Sequence, residues 1–288
     1  MVDSLVTTDW LAPHLGASRL KTLDATWFHP KSGRTGRTEY DRGHIPTAVF
    51  FDIDAVADQS SSLPHMLPSR EHFEQSVSAL GIENDDHVVV YDRSGGGAAA
   101  ARVWWTFQVF GYQKVSLLDG GWNKWEAEGL ASISNIVSDS SAPGSFVATP
   151  PNWSLVRNKA QLLWNLKGGN EQVIDARSPG RFAGREDEPW PHRKVGHIPG
   201  SLNLPWNELL DPVSMTFLPL EELRARFSAA GLTPHGPIVA TCGSGVTASV
   251  LAFALHLLGH SDIAVYDGSW AEWGLAEDTP VAIQGNNR

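Results

Sequence analysis

Short apolar runs of four or five residues recur along the chain and are bounded by polar or glycine-rich stretches. Residues 88–91 and 238–241 are the clearest examples, since nearly every side chain in them is apolar or β-branched. Such runs are typical of strands buried on both faces, as in a parallel sheet. Each is followed by a glycine-rich turn and a longer apolar segment, which predicts helices over residues 98–110 and 247–258. Two further runs predict strands at residues 115–118 and 263–266.

The chain repeats itself at a spacing of about 150 residues, which is the length of a whole domain. We therefore predict two copies of one α/β fold, each a mostly parallel sheet with helices on both faces. The predicted domains are residues 1–131 and 151–288. A serine-rich stretch with a Pro-Gly turn signal predicts a linker at 132–150. The matching segments are residues 23–25 with 174–176, 43–46 with 196–199, 88–92 with 238–242, and 119–122 with 267–270.

Composition excludes several classes of function. The 288 residues carry a formal net charge of -10. This is the wrong sign for a protein that binds the phosphate backbone of a nucleic acid. There is no run of 18 uncharged apolar residues, so we predict no membrane-spanning helix. The amino-terminal residues lack the basic and apolar regions of a secretory signal. A cytoplasmic location is therefore expected.

The candidate reactive group is Cys242, the single cysteine of the sequence. It cannot form an internal disulfide or a CxxC zinc site, and we predict no metal. It ends a predicted strand and opens a glycine-rich turn into a helix, where backbone amides and the helix dipole favour a thiolate. Gly243 and Gly245 have no Cβ and would let the loop curl with its amides inward. A buried structural thiol is the alternative, since free cysteines are often buried.

Several motifs give the chain a resemblance to the two-domain rhodanese-like sulfurtransferases. In the first half these are GHIPTAVFFDID, HMLP and LLDGGW, and in the second DARSPGRF, GHIPGSLNLPW, CGSGVTA and YDGSW. The resemblance implies two tandem rhodanese-like domains and a persulfide formed on Cys242. The CGSGVTA loop is similar to that of 3-mercaptopyruvate sulfurtransferases, and its Gly243, Gly245, Val246 and Thr247 are expected to bind substrate. Asp92 stands in the place of Cys242 in the first half, which predicts a non-catalytic copy there.

The resemblance also implies a serine–histidine–aspartate relay that moves the proton of the donor thiol. Ser244, His65 and Asp54 stand at the matching positions. A histidine suits this task because its ordinary pKa lies close to working pH. By residue type alone, each has a structural alternative: a turn residue, a loop residue and a helix cap.

Arg181 matches an arginine with which the family binds the substrate's carboxylate, and a guanidinium suits a bidentate contact of that kind. An exposed surface arginine is the alternative. The chain departs from the family nine residues later, where Trp190 replaces a second arginine. Arg185 or Arg193 could substitute for it, or the donor could differ.

The function that the resemblance implies is sulfur transfer from 3-mercaptopyruvate, with release of pyruvate, to a thiol acceptor such as thioredoxin or a low-molecular-weight thiol, or to cyanide. No cofactor is implied. Thiosulfate as the donor, and a non-catalytic persulfide carrier, remain alternatives. A cysteine phosphatase is disfavoured because Ala248 stands where the phosphate-binding arginine is needed. The run at residues 94–97 lacks a dinucleotide-binding pattern, and His256 and His260 lack the glutamate of a zinc motif.

Overall fold

The computed structural model describes residues 2–93, 97–134, 142–233 and 235–283, which fall into two compact units. Each unit takes a short segment from the other half of the sequence. His65 is in such a segment and belongs to the second unit. The first unit comprises Met1–Ser60, Leu67–Asn152 and Leu210–Phe217, and the second comprises Ser61–Met66, Trp153–Leu209 and Leu218–Arg288. The predicted boundaries at 131 and 151 stay a prediction, and residues 135–141 of the predicted linker and 94–96 of the glycine run lie outside the described residues.

The first unit is built on a five-stranded sheet in which every neighbouring pair is parallel, in the order β1-β5-β4-β2-β3. The central strand β4 is buried along almost its whole length, as its apolar run requires. The strands are β1 Leu5–Val6, β2 Leu20–Asp24, β3 Val49–Phe50, β4 His87–Tyr91 and β5 Val115–Leu118.

Helices cover both faces of this sheet. Trp122 and Trp125 pack on Val89 and Tyr91 of β4 on one face, and because side chains alternate along a strand, the neighbouring valines face the other side. The helices are α1 Thr8–Leu11, α2 Gly36–Arg42, α3 Ile53–Val56, α4 Arg70–Ala79, α5 Ala98–Val109 and α6 Gly121–Ala127, and α5 packs on β4 and β5.

The second unit repeats this architecture, with an all-parallel sheet in the order β6-β10-β9-β7-β8. The same position in the sheet is therefore occupied by β4 in one unit and β9 in the other. The strands are β6 Val156–Arg157, β7 Gln172–Asp175, β8 Leu202–Asn203, β9 Ile238–Thr241 and β10 Ile263–Tyr266. The helices are α7 Lys159–Asn165, α8 Pro179–Phe182, α9 Leu220–Ala229, α10 Ala248–Leu257 and α11 Ser269–Trp273.

The elements predicted from apolar runs agree closely with the structure. Strands β5, β9 and β10 have the predicted bounds, and β4 begins one residue earlier, at His87. Helices α5 and α10 end at Val109 and Leu257, one residue before the predicted ends. Within the described residues, no helix combines the length and the apolar character needed to cross a membrane.

Candidate active site at the end of strand β9

Cys242 directly follows β9, at the carboxyl end of an inner strand of a parallel sheet, where ligand sites of α/β folds are usually found. Its side chain is 2% exposed. The backbone amide of Cys242 donates to Ser269 Oγ at 3.2 Å, and its carbonyl oxygen accepts from the amide of Trp270 at 2.9 Å. Both contacts come from the first residues of α11, so the backbone of Cys242 is held by the next strand–helix turn.

The loop from Cys242 to α10 presents a run of unpaired amides. Among the described residues, none of the backbone N–H groups of residues 243–248 has a hydrogen-bond acceptor. Gly245 has a φ of +79°, in the left-handed region that favours glycine, and this lets the loop turn tightly before the helix. Successive amides in such a turn, together with a helix N-terminus, form a site that stabilises an anion. The loop is therefore suited to hold a negatively charged sulfur.

Ser244 and His65 lie side by side in the second unit. His65 Nδ1 is 2.9 Å from Ser244 Oγ, across 179 residues of sequence, and both side chains are buried. His65 has a φ of +59°, which is strained for a residue other than glycine and is typical of functional sites. The structure thus brings together two members of the expected relay, whose role in proton transfer stays a prediction.

Asp54, the third expected member, belongs to the first unit. It lies in the first turn of α3, and its Oδ2 accepts from Trp27 Nε1 at 2.8 Å. It is not the helix cap, because Asp52 accepts from the amides of Asp54 and Ala55 in that role. The pairing of Asp54 with His65 stays a prediction.

Arg181 lies beside the loop. A Cβ placed on Gly243 would lie 3.0 Å from Arg181 Nη2, so a larger residue there would require the guanidinium to shift away from the loop backbone. Glu188 orients the guanidinium, accepting from Arg181 Nη2 at 2.5 Å and from Nε at 3.3 Å. The side chain of Arg181 is 22% exposed, so it is neither fully buried nor a free surface arginine. It can therefore present a positive charge next to Cys242.

Glu188 is shared with a second, fully buried arginine. Arg177 Nη1 donates to Glu188 Oε1 at 2.7 Å, and Arg177 Nη2 donates to Asp175 Oδ2 at 2.6 Å. Burial acts to lower the pKa of Arg177, but the two carboxylates outweigh it and hold the pKa above its usual value. Two carboxylates and two guanidiniums therefore alternate from Asp175 to Arg181, with a net charge of zero.

Trp190 and the two arginines considered as a second cation differ in position. Trp190 packs edge-on against His65, with ring centroids 6.1 Å apart. It therefore places an aromatic ring next to the Ser244–His65 pair. Arg193 donates from Nε to the carbonyl of Ala271 in α11, at 3.0 Å, and burial lowers the pKa of its guanidinium. Arg185 is exposed. Val246 is buried and Thr247 half-buried in the loop, and their contact with substrate stays a prediction.

Three residues with clear roles in this geometry were missed at the level of sequence: Arg177, Glu188 and Ser269. A signal existed for Arg177, which lies inside the DARSPGRF motif directly after the repeated segment 174–176, whereas Glu188 lies outside the motifs. Among the described residues, no group of three or more histidine, cysteine, aspartate or glutamate side chains could hold a metal ion.

Comparison with known proteins gives matches over both halves of the chain. The chain matches the family model of the rhodanese-like domain over residues 7–128 and 159–276. It is 42% identical to the human protein named 3-mercaptopyruvate sulfurtransferase, over 99% of this chain and 97% of the relative. It is also 42% identical to the Arabidopsis thaliana protein named thiosulfate/3-mercaptopyruvate sulfurtransferase 1, mitochondrial, over 97% of this chain and 78% of the relative.

A solved structure extends the likeness to the fold. The crystal structure of SseA from Escherichia coli, whose title concerns the rhodanese fold of 3-mercaptopyruvate sulfotransferases, superposes with a TM-score of 0.82 and 37% sequence identity. The match covers 93% of this chain and 99% of that one. With both halves matched by the family model and relatives at this identity over nearly the full length, the chain belongs to the two-domain rhodanese-like sulfurtransferases.

Proposed function

We propose that this chain transfers sulfur from 3-mercaptopyruvate, through a persulfide on Cys242, to a thiol acceptor or cyanide. The observation that carries the proposal is the loop after β9, where a cysteine is followed by six backbone amides without acceptors among the described residues. Such a loop stabilises the anion of a thiolate and, after reaction, of a persulfide. In this proposal it needs no metal or cofactor.

In the first half-reaction, the Cys242 thiolate attacks the sulfur of the donor. A new S–S bond forms while the donor's C–S bond breaks, and its electron pair passes to the carbon, which leaves as the enolate of pyruvate. The proton of the donor thiol ends on that carbon, which gives pyruvate. Ser244 and His65, 2.9 Å apart, are the groups we assign to this proton transfer, with Asp54 as the third member.

In the second half-reaction, an acceptor thiolate attacks the outer sulfur of the persulfide. The S–S bond breaks, the outer sulfur leaves on the acceptor, and Cys242 returns as a thiolate. A two-step scheme of this kind gives ping-pong kinetics. We propose thioredoxin or a low-molecular-weight thiol as the acceptor, and the cytoplasm as the site of action.

The identity of the donor depends on Arg181 and Trp190. Arg181 supports a carboxylate contact, because its guanidinium lies beside Gly243 and its side chain is 22% exposed. Glu188 already balances part of its charge, and Trp190 adds none. Thiosulfate is the second candidate donor, since one relative carries both donors in its name. Thiosulfate carries two negative charges, which this electrically balanced site is poorly suited to bind.

Intact mass measurement tests the proposal directly. Addition of 3-mercaptopyruvate in the absence of an acceptor should raise the mass by about 32 Da, one sulfur atom, with one pyruvate released per chain. Cys242→Ser should show neither change, and thiosulfate should label the wild-type chain more slowly. A mass gain without steady-state pyruvate release in the presence of a thiol acceptor would identify a persulfide carrier instead of an enzyme. No mass gain from either donor would overturn the proposal.

A further inference from the structure

Ser269 opens helix α11 and is fully buried, with a backbone φ of +47°. Residues with a side chain rarely adopt this left-handed conformation, because Cβ crowds the backbone. The matching residue of the first half is Gly121, which opens α6 with a φ of +53°. Glycine adopts this conformation without steric cost. The second half therefore carries a serine at a position where glycine fits more easily.

The first half also shows why a side chain is unfavourable there. A Cβ added to Gly121 would lie 2.6 Å from the carbonyl oxygen of Asp92, closer than a real Cβ approaches. Asp92 and Cys242 occupy matching positions in the two halves. The carbonyl oxygen of Asp92 accepts from the amide of Trp122, and that of Cys242 accepts from the amide of Trp270. The backbone around Cys242 thus accommodates a side chain that its counterpart excludes.

The hydroxyl group of Ser269 gives the reason for its presence. Ser269 Oγ accepts from the amide of Cys242 at 3.2 Å and donates to the carbonyl of Tyr266, the last residue of β10, at 2.8 Å. Thr241 Oγ1 lies 3.4 Å from the same oxygen. The hydroxyl therefore links the peptide group that carries the nucleophile to the end of the neighbouring strand. The amide of Cys242 is held in this way, while the amides that follow it remain available to an anion.

We propose that Ser269 is a positioning residue that fixes the backbone of Cys242, so that the sulfur faces the amide loop. The kinetic part of this inference rests on the proposed function, whereas the structural part does not. Loss of the hydroxyl leaves the buried amide of Cys242 without its acceptor and frees the peptide to reorient. Small displacements of a reacting group are enough to slow catalysis substantially.

Selective labelling gives a direct test, because Cys242 is the single cysteine of the chain. Protein labelled with ¹⁵N-cysteine has one labelled backbone amide, that of Cys242. Ser269→Ala and Ser269→Gly should each raise its hydrogen-exchange rate about tenfold or more relative to the wild type. Glycine tolerates the backbone conformation, so this variant still reports if the alanine variant fails to fold. Thr279→Val is the matched control: its buried hydroxyl donates to the carbonyls of Trp273 and Ala276 in the same unit, and its loss should leave the exchange rate within about twofold.

The kinetic arm asks whether this amide contact matters for the reaction. Both Ser269 variants should lower kcat for sulfur transfer about tenfold with KM within about twofold, while Thr279→Val keeps the wild-type kcat even if it lowers the Tm. Unchanged exchange at Cys242, or faster exchange with an unchanged kcat, would overturn the inference. If the wild type takes no sulfur from any donor, the proposed function fails separately. In that case the inference about Ser269 is tested by two rates that do not depend on sulfur transfer: hydrogen exchange at the Cys242 amide and alkylation of Cys242 by iodoacetamide. Both rates are expected to differ between the Ser269 variants and the wild type.

Discussion

The two halves place different chemistry at the end of the same strand. In the first unit Asp92 follows β4, is buried, and accepts from the amide of Ala100 in the first turn of α5, at 2.8 Å. In the second unit Cys242 follows β9, and the amides of the next six residues have no acceptor among the described residues. A fixed carboxyl group in the first unit thus accepts from an amide at the start of the helix, while the second unit leaves the matching place free for the anion of the proposed reaction. One scaffold gives a structural contact in one copy and, in the other, the cysteine that we propose to be reactive.

In each half a guanidinium stacks on the tryptophan near the end of the strand, but the arginine comes from a different loop in the two halves. In the second unit Arg177 follows β7, stacks on Trp270 at 4.2 Å and donates to the carbonyl of Gly196. In the first unit Arg93, from the loop after β4, stacks on Trp122 at 3.8 Å and donates to the matching carbonyl of Gly43.

The different chain positions of these two arginines account for the glycine at position 243. Because Arg177 supplies the guanidinium from the loop after β7, the position that Arg93 holds in the first half can be Gly243 in the second. Gly243 in turn allows Arg181 to approach the loop. The loop after β9 thus has no arginine at this position, because the loop after the neighbouring strand β7 supplies the cation that stacks on Trp270.

The largest expected effect is the difference in activity between substitutions at the ends of β9 and β4. Cys242→Ser should abolish sulfur transfer, because a serine hydroxyl cannot form a persulfide and the chain has no other thiol. Asp92→Asn keeps an acceptor for the Ala100 amide and should retain turnover within about twofold. Pyruvate release measures both. Residual transfer by Cys242→Ser, or a large loss in Asp92→Asn, would show that the halves do not divide the work in this way.

The next comparison concerns the stability of two matching buried carboxylates. Asp175 pairs with Arg177, so Asp175→Asn should lower the free energy of unfolding by about 3 kcal/mol, since it leaves a buried guanidinium with less compensation. Asp24, its counterpart, has an Oδ2 without a hydrogen-bond donor among the described residues, and burial raises its pKa. Asp24→Asn should therefore cost little at pH 7.

The pH dependence sharpens this contrast. A raised pKa means that folded Asp24 holds its proton more tightly than the unfolded chain does. Its contribution to stability is full below the unfolded pKa of about 3.9 and is lost as pH rises through the folded pKa. Asp24→Asn should lack this loss, so its stability relative to the wild type should increase from pH 4 towards pH 7. Denaturant unfolding at several pH values measures the difference, and a flat difference would contradict the pKa shift.

His65 is the next group by size of effect. His65→Ala should lower kcat roughly 10²-fold, as for loss of an acid–base group. Ser94 stands at the position of Ser244 in the first half, outside the described residues, so the serine alone does not distinguish the halves. Ser244→Ala should also lower kcat, because Ser244 Oγ lies 2.9 Å from His65 Nδ1. The double variant should lose little more activity than His65→Ala alone, because the two side chains act as one pair. Fully additive losses would indicate independent roles.

Arg181 tests the charge next to the loop. Arg181→Ala should raise the KM for 3-mercaptopyruvate about 30-fold or more, the value of a charge-assisted contact worth roughly 2 kcal/mol. Arg185→Ala is the control, since Arg185 is exposed, and should leave KM unchanged. Equal effects of the two variants would point to a general charge effect instead of a specific contact.

The smallest expected change concerns Trp190. Trp190→Arg adds a positive charge beside His65 and should lower the KM for 3-mercaptopyruvate several-fold, since the present chain of charges from Asp175 to Arg181 is neutral. Arg193→Ala should do little, because its guanidinium donates to backbone carbonyls. A large loss from Arg193→Ala without a gain from Trp190→Arg would mean that Arg193 already provides the second cation.

Some features followed from the sequence alone because they depend on short-range physics. A continuous apolar run must be buried on both faces, which determined β4 and β9 nearly to the residue. A cysteine between a buried strand and a glycine-rich turn lies at the carboxyl edge of a parallel sheet, which identified Cys242. The repeat spacing likewise fixed Asp92 as its counterpart, because equivalent strands occupy equivalent places in two copies of one fold.

Other features were decided only by the tertiary structure. His65 lies 179 residues from Ser244 in the chain, and no local pattern indicates that the segment Ser61–Met66 belongs to the second unit. Whether Glu188 is a surface residue or the carboxylate between two arginines depends on which side chains fold against it. Ser269 looks like an ordinary turn residue until its hydroxyl is placed against the amide of Cys242. The sequence thus predicted which residue reacts, whereas the partners that hold it in place are set by long-range packing, since hydrogen bonds of this kind join groups that meet only in the folded chain.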